Sequence, residues 1–248
     1  MAPLFYHHMM PLTDEGVSTS LLGRLKNQVV RSGSEPRRIR SGAFKDLRMD
    51  LDLRRQAQVY LGLYERELYR WLRVLGRDAV TALDVGAADG AYSLYFLKRT
   101  SARAVYAFEP DAAARKGLVS NLRLNDLDGD SRVRVSGAPA GNGKAPGTIA
   151  LDSLYSSIEL PCLAKVDVEG HEAEVLEGAA ALLARGGMSW IIETHSLPLE
   201  HACVRLLEST DLTVRIVSPA WWRFAVPEAR PIPHNRWLIA HARGQAVS

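Results

Sequence analysis

The stretch VTALDVGAADG (residues 80–90) decides how the chain folds. Val80–Val85 is a short apolar run of strand type. Ala91–Lys98 behind it has helical character, so Gly86 and Gly90 bracket a strand-to-helix turn. Glycine lets a backbone turn tightly and approach a ligand without a Cβ in the way. The helix that follows offers free N–H groups to an anion. A dinucleotide fingerprint needs G-x-G-x-x-G, and Ala88 stands where its second glycine belongs. The spacing D-x-G-x-x-x-G that Asp84, Gly86 and Gly90 supply suits a methionine-derived nucleoside, S-adenosyl-L-methionine. Asp84 closes a buried strand, where an unpaired carboxylate is costly. It therefore needs a polar or cationic partner, for which a methionyl amino group is suited.

Outward from this turn the same alternation repeats. Strands are expected at Ala104–Phe108, Arg132–Val135, Leu163–Val168 and Trp190–Glu193, with helices at Ala112–Leu124, Glu172–Leu183 and Leu199–Leu207 between or after them. Leu212–Val217 and Trp237–Ala240 read as two last strands with no helix between them, hence an antiparallel hairpin. The fold class is α/β: a doubly wound, mostly parallel seven-stranded sheet with an antiparallel C-terminal hairpin. Leu51–Leu75 has helical spacing interrupted at Gly62, and residues 1 to about 45 carry the least pattern. Residues 1–76 are accordingly an N-terminal helical extension or lid rather than an independent domain, and 77–248 the cofactor-binding domain.

In an open parallel sheet, ligands bind outside the carboxyl ends of the strands. Glu109, at the end of Ala104–Phe108, is placed to accept both ribose hydroxyls, and Pro110 ends that strand. Ala87, Asp89, Tyr92 and Gly137 complete the expected cofactor contacts together with Asp167. The short stretch between Val135 and Leu151 offers no acidic residue for an adenine amino group, so backbone near Ser136-Gly137-Ala138 must serve there.

Candidates for chemistry gather at two further strand ends. Asp167 and Glu169 follow LAKVDV, His171 opens the next helix, and Glu193 and His195 close IIETH. An aliphatic hydroxyl needs a base before it attacks. His195 is the favoured base, its ring oriented by a neighbouring carboxylate; His171 is the second candidate, and Asp167 and Glu169 assist. Glu169 and His171 also read as loop-holding or helix-capping residues. Asp167 and Glu193 are hard oxygen donors compatible with Mg²⁺. Trp221-Trp222 suggest a partly exposed aromatic wall, whereas Trp237 reads as core.

Composition narrows the rest. The 248 residues are 47% hydrophobic with a net charge of +3, too weakly basic to argue for nucleic acid. Cys162 and Cys203 have neither metal nor disulfide spacing and read as reduced core thiols. No secretory signal opens MAPLFYHHMMPL, and no apolar run is of membrane-spanning length, so a cytoplasmic protein is expected.

Tyr60–Glu65, LDVGAADGAYS (83–93), FEPD (108–111), Leu151-Asp152-Ser153-Leu154, KVDVEGHEAEVLEGA (165–179), IIETH (191–195) and NRWLIA (235–240) together resemble the FkbM-type methyltransferase family. The likeness covers about three quarters of the chain, and D-V-E-G-x-E-x-x-V-L-x-G-A is its most specific part. It implies a Rossmann-like class I methyltransferase that methylates a small-molecule hydroxyl of a sugar, polyketide or other secondary metabolite. Related macrocin-type enzymes imply a metal at corresponding strand ends. Ala88-Asp89 departs from the family pattern, where an asparagine is common. Nitrogen, nucleotide or lipid-head-group acceptors remain alternatives, as does a non-catalytic cofactor-binding module.

Overall fold

The computed structural model describes residue 30, residues 32–224, and residues 226, 234 and 236–243. The N-terminal MAPLFYHHMMPL and Asn235 lie outside the described residues. Seven strands form one sheet: β3 (Thr81–Val85), β4 (Ala104–Phe108), β5 (Val133–Ser136), β6 (Cys162–Val166), β7 (Met188–Thr194), β8 (Leu212–Val217) and β9 (Arg236–Ala242), in the order β5-β4-β3-β6-β7-β9-β8. Pairings from β5 to β7 are parallel, and β9 inserts antiparallel between β7 and β8. Both faces of the sheet are covered, which is why β3 and β6 are buried along their whole length. The switch point, where successive connections run to opposite sides, falls between β3 and β6.

The helices are α1 (Leu53–Tyr60), α2 (Tyr69–Gly76), α3 (Ala91–Arg99), α4 (Ala112–Leu124), α5 (Glu172–Glu177), α6 (Ala180–Ala184) and α7 (Leu197–Glu208). The single helix expected over Glu172–Leu183 is broken at Gly178-Ala179. There the backbones pack so closely that a Cβ on Gly178 would lie 1.9 Å from the Gly141 carbonyl oxygen. Asp152 of the LDSL turn accepts from the Ala181 and Leu182 amides at 2.9 and 3.0 Å, which gives that motif a capping role.

The stretch assigned least pattern holds a hairpin instead. Strands β1 (Glu35–Arg38) and β2 (Arg48–Leu51) pair antiparallel. Side chains of α4 hold β2: Asn125 accepts from the Arg48 amide (3.0 Å) and donates to its carbonyl (2.6 Å), while Asn121 accepts from the Asp50 amide (2.8 Å). Ile39, Phe44, Met49 and Leu51 are buried in one cluster with Leu94 and Phe96 of α3. Cys162 and Cys203 are buried free thiols, and burial pushes both pKa values up.

Candidate active site

The β3 turn is shaped as much by packing as by any ligand. Gly86 and Gly90 have φ of +81° and +84°. A Cβ on Gly86 would lie 1.7 Å from the Asp167 carbonyl oxygen, and one on Gly90 would lie 2.8 Å from Leu118 Cγ. The turn at β3 and the end of β6 therefore lie backbone to backbone. Ala87 is buried, and Ala88 is exposed with φ +45°. The amide of Ala88 donates to Glu109 Oε2 (2.7 Å), while Glu109 Oε1 accepts from the Asp111 amide (2.8 Å). Burial raises the Glu109 pKa against the pull of those two amides. Asp111, not Pro110, caps α4, accepting from Ala113 and Ala114. Pro110 and Glu109 both accept from Arg115 through their carbonyls at 3.0 and 2.7 Å, and the same guanidinium lies beside the exposed Gly137.

Three of the residues expected at the cofactor have partners within the chain. Asp84 is 1% exposed and accepts from the Ser93 hydroxyl at 2.6 Å; burial lifts its pKa to about 6, with Ser93 and Lys165 opposing. The Ser93 hydroxyl thus supplies one polar partner for Asp84, at Oδ2. The Tyr92 hydroxyl donates to the Glu65 carboxylate, and its ring lies 5.0 Å from Lys165 Nζ. Asp89 accepts from Gln56 Nε2 of α1 at 2.9 Å.

Lys165, inside a strand that reads as apolar, is one of the residues that sequence reasoning missed, with Glu65 and Glu172. It is 1% exposed, and its Nζ lies 3.4 Å from Asp167 Oδ2, 3.9 Å from Glu193 Oε2 and 4.0 Å from Glu65 Oε2. A buried ammonium persists only where carboxylates offset its lost hydration. Trp237 Nε1 donates to Glu193 Oε2 at 3.2 Å, which ties the core tryptophan to the same cluster.

His195 lies at the centre. Its Nδ1 is 2.5 Å from Glu172 Oε1, and its Nε2 is 3.5 Å from Asp167 Oδ1 and 3.8 Å from Glu193 Oε1. The carboxylate that orients the ring is therefore Glu172, completely buried, rather than the adjacent Glu193. Burial works against a charged His195, but the Glu172 bond and the Asp167 field outweigh it and raise the pKa. His171 is not part of this assembly: it is exposed, with Nδ1 3.8 Å from Glu174 Oε1. Glu169 is exposed at φ +48°, on the loop over Asp167. Of the five non-glycine residues with positive φ among the described residues, Glu65, Ala88 and Glu169 belong to this crevice, as strained backbone often does at functional sites.

Asp167, Glu193 and His195 each offer one donor atom within 4.8 Å of the others. Mg²⁺ demands octahedral oxygen coordination. One of these donors is an imidazole nitrogen, and the Lys165 ammonium already stands beside both carboxylates. That set does not fit Mg²⁺, contrary to the expectation for Asp167 and Glu193.

No family model matches the sequence, and no curated protein shows significant similarity to it. Solved structures do share its fold. Methyltransferase FkbM from Methylobacillus flagellatus KT is 22% identical over 66% of this chain and 44% of that one, with a TM-score of 0.53. The product described as a precorrin 8w decarboxylase, from Methanobacterium thermoautotrophicum, is 19% identical over 72% and 90%, with a TM-score of 0.50. The fold is that of a class I methyltransferase. The chain spans less than half the length of the FkbM structure. Within the class I fold, the crevice described above lies at the carboxyl edge of the sheet beside the switch point. No helix among the described residues is long and apolar enough to cross a membrane.

Proposed function

We propose that this chain is an S-adenosylmethionine-dependent methyltransferase acting on a hydroxyl of a small molecule, such as a sugar or polyketide. One juxtaposition carries the reading: the Gly86–Gly90 turn with Glu109 on one side of the switch point, and the His195–Glu172 dyad on the other. Glu109 and the turn hold the nucleoside; Asp167, whose backbone abuts Gly86, stands between the two halves. S-adenosylmethionine supplies a methyl group on a sulfonium, open to in-line displacement. Alignment does most of the work in such a transfer. Glu172 accepts a hydrogen bond from the Nδ1–H of His195 and so leaves Nε2 free to take the proton from the acceptor oxygen as the new bond forms. Lys165 keeps Asp167 and Glu193 in place and limits their mutual repulsion.

A nitrogen acceptor is the second reading, favoured by charge. Glu65, Asp84, Asp167, Glu172 and Glu193 gather around Lys165 and His195, and so many carboxylates make a field that attracts an amine. Calorimetry with S-adenosylhomocysteine tests the nucleoside site, and methyl transfer to paired hydroxyl and amine panels, with and without EDTA, tests the rest. Binding, with transfer to hydroxyls that EDTA leaves unchanged, is expected. Absence of S-adenosylhomocysteine binding refutes the reading.

A further inference from the structure

The connection between β8 and β9 inverts the usual arrangement of polar and apolar side chains. Trp221–Phe224 form one 3₁₀ turn, in which side chains three apart eclipse one another. Trp221 and Phe224 share that face and are 83% and 84% exposed, whereas Arg223 is 7% exposed. The guanidinium of Arg223 donates to Glu67 Oε1 (2.9 Å), Glu67 Oε2 (2.7 Å), Gln58 Oε1 (3.0 Å) and the Leu63 carbonyl (2.8 Å). Glu67 also accepts from the Ala220 amide at 2.9 Å, and the Arg223 side chain lies over the Trp222 ring. A buried, doubly bonded arginine–carboxylate pair is a rigid mount. Scattered exposed apolar residues need no explanation, but two eclipsed rings held in water on such a mount form a surface built for contact.

The position of this surface is fixed by register. Glu193 of β7 and Val217 of β8 both pair with Trp237 of β9. The chain thus leaves β8 at the same edge as the crevice, two strand spacings or about 10 Å from Glu193. The mount is also shared, because the segment that binds Arg223 carries Glu65, 4.0 Å from Lys165. Two aromatic side chains present roughly 300–500 Å², short of the ~800 Å² per partner that a stable protein interface buries. They match one or two rings of a small molecule.

We propose that Trp221 and Phe224 form an acceptor subsite that stacks a planar or pyranose ring, selecting acceptors with at least two linked rings that reach from the turn to His195. The inference rests on the methyl-transfer reading of the crevice. The test uses protein saturated with S-adenosylhomocysteine and 4-nitrophenyl β-D-glucopyranoside as the probe, followed by saturation-transfer NMR and tryptophan fluorescence. Saturable binding by the unaltered chain is expected. It should weaken at least tenfold in Trp221→Ala/Phe224→Ala and stay unchanged in Leu197→Ala, another exposed apolar position. Because both rings are in water, the melting temperature and the S-adenosylhomocysteine affinity of the double variant should match those of the parent. Equal glycoside binding by parent and variant, or none by the parent, overturns the subsite. So does a loss in the variant of co-sedimentation with phosphatidylcholine vesicles, which would make the rings a membrane contact. Failure of the parent to bind S-adenosylhomocysteine would instead remove the underlying reading.

Discussion

The two sides of the switch point are built differently. On the β3–β4 side, the parts come from one short run: Gly86, Ala88 and Gly90 lie within five residues, and Glu109 follows at the next strand end. On the β6–β7 side, the working groups are assembled from afar. Glu172 and His195 are 23 positions apart, and Lys165 meets Glu65 across 100. The first side is a local conformation with positive φ and tight packing, whereas the second is a network of buried charges. The first should therefore fail by steric disruption, and the second by loss of proton handling while the fold survives.

The widest separation between the two sides is expected from His195→Ala. Its kcat should fall about 10²–10⁴-fold while S-adenosylhomocysteine affinity stays within twofold, read by turnover assay and calorimetry. An equal loss in both would erase the distinction. Glu109→Ala is the mirror test, expected to weaken S-adenosylhomocysteine binding by about 100-fold, the worth of two hydrogen bonds to a charged group. An unchanged Kd would remove Glu109 from the site.

Gly86→Ala probes the seam. Its Cβ would meet the Asp167 carbonyl oxygen, whereas Gly147 has the same φ of +81° and nothing within 4 Å. The first substitution should cost about 3 kcal/mol, lowering Tm by about 6–12 °C, and Gly147→Ala only about 1 kcal/mol. Similar melting points in calorimetry would mean that dihedral strain alone matters at Gly86.

The smallest effect is a displaced pH profile. As base, His195 must be neutral, so activity should rise with pH through a value above the ordinary ~6.5. Its raised folded pKa also means that the His195–Glu172 pair stabilises the fold below the unfolded pKa. That stability is lost as pH rises through the folded value, so activity and stability move in opposite directions there. In Glu172→Gln the activity limb should shift toward acid. A limb that stays in place would show that Glu172 does not set the base.

The same contrast explains what the sequence made legible. Apolar runs alternating with helical spacing were enough to place all seven strands of the large sheet within a few residues: β3, β6 and β7 are buried along their whole length, while β5 and β8 at the sheet edges were placed by their β-branched runs. The glycine turn and Glu109 were readable because their spacing is local. Glu172 was not, since it looks like any acidic residue in a first helical turn, where the dipole favours one. Lys165 was hidden by its apolar neighbours, and Glu65 lies in a non-repeating segment at φ +42°. The β1–β2 hairpin escaped notice because its strands are four residues each and its hydrogen-bonding partners, Asn121 and Asn125, come more than 70 positions later.

The carboxylates gathered around Lys165 and His195 give the proposed reaction a direction. A sulfonium donor arrives as a cation at sulfur and departs as a neutral thioether, so the acidic walls hold it more firmly before transfer than after. Release of the spent nucleoside would thus be promoted by the methyl transfer itself, with no moving part required.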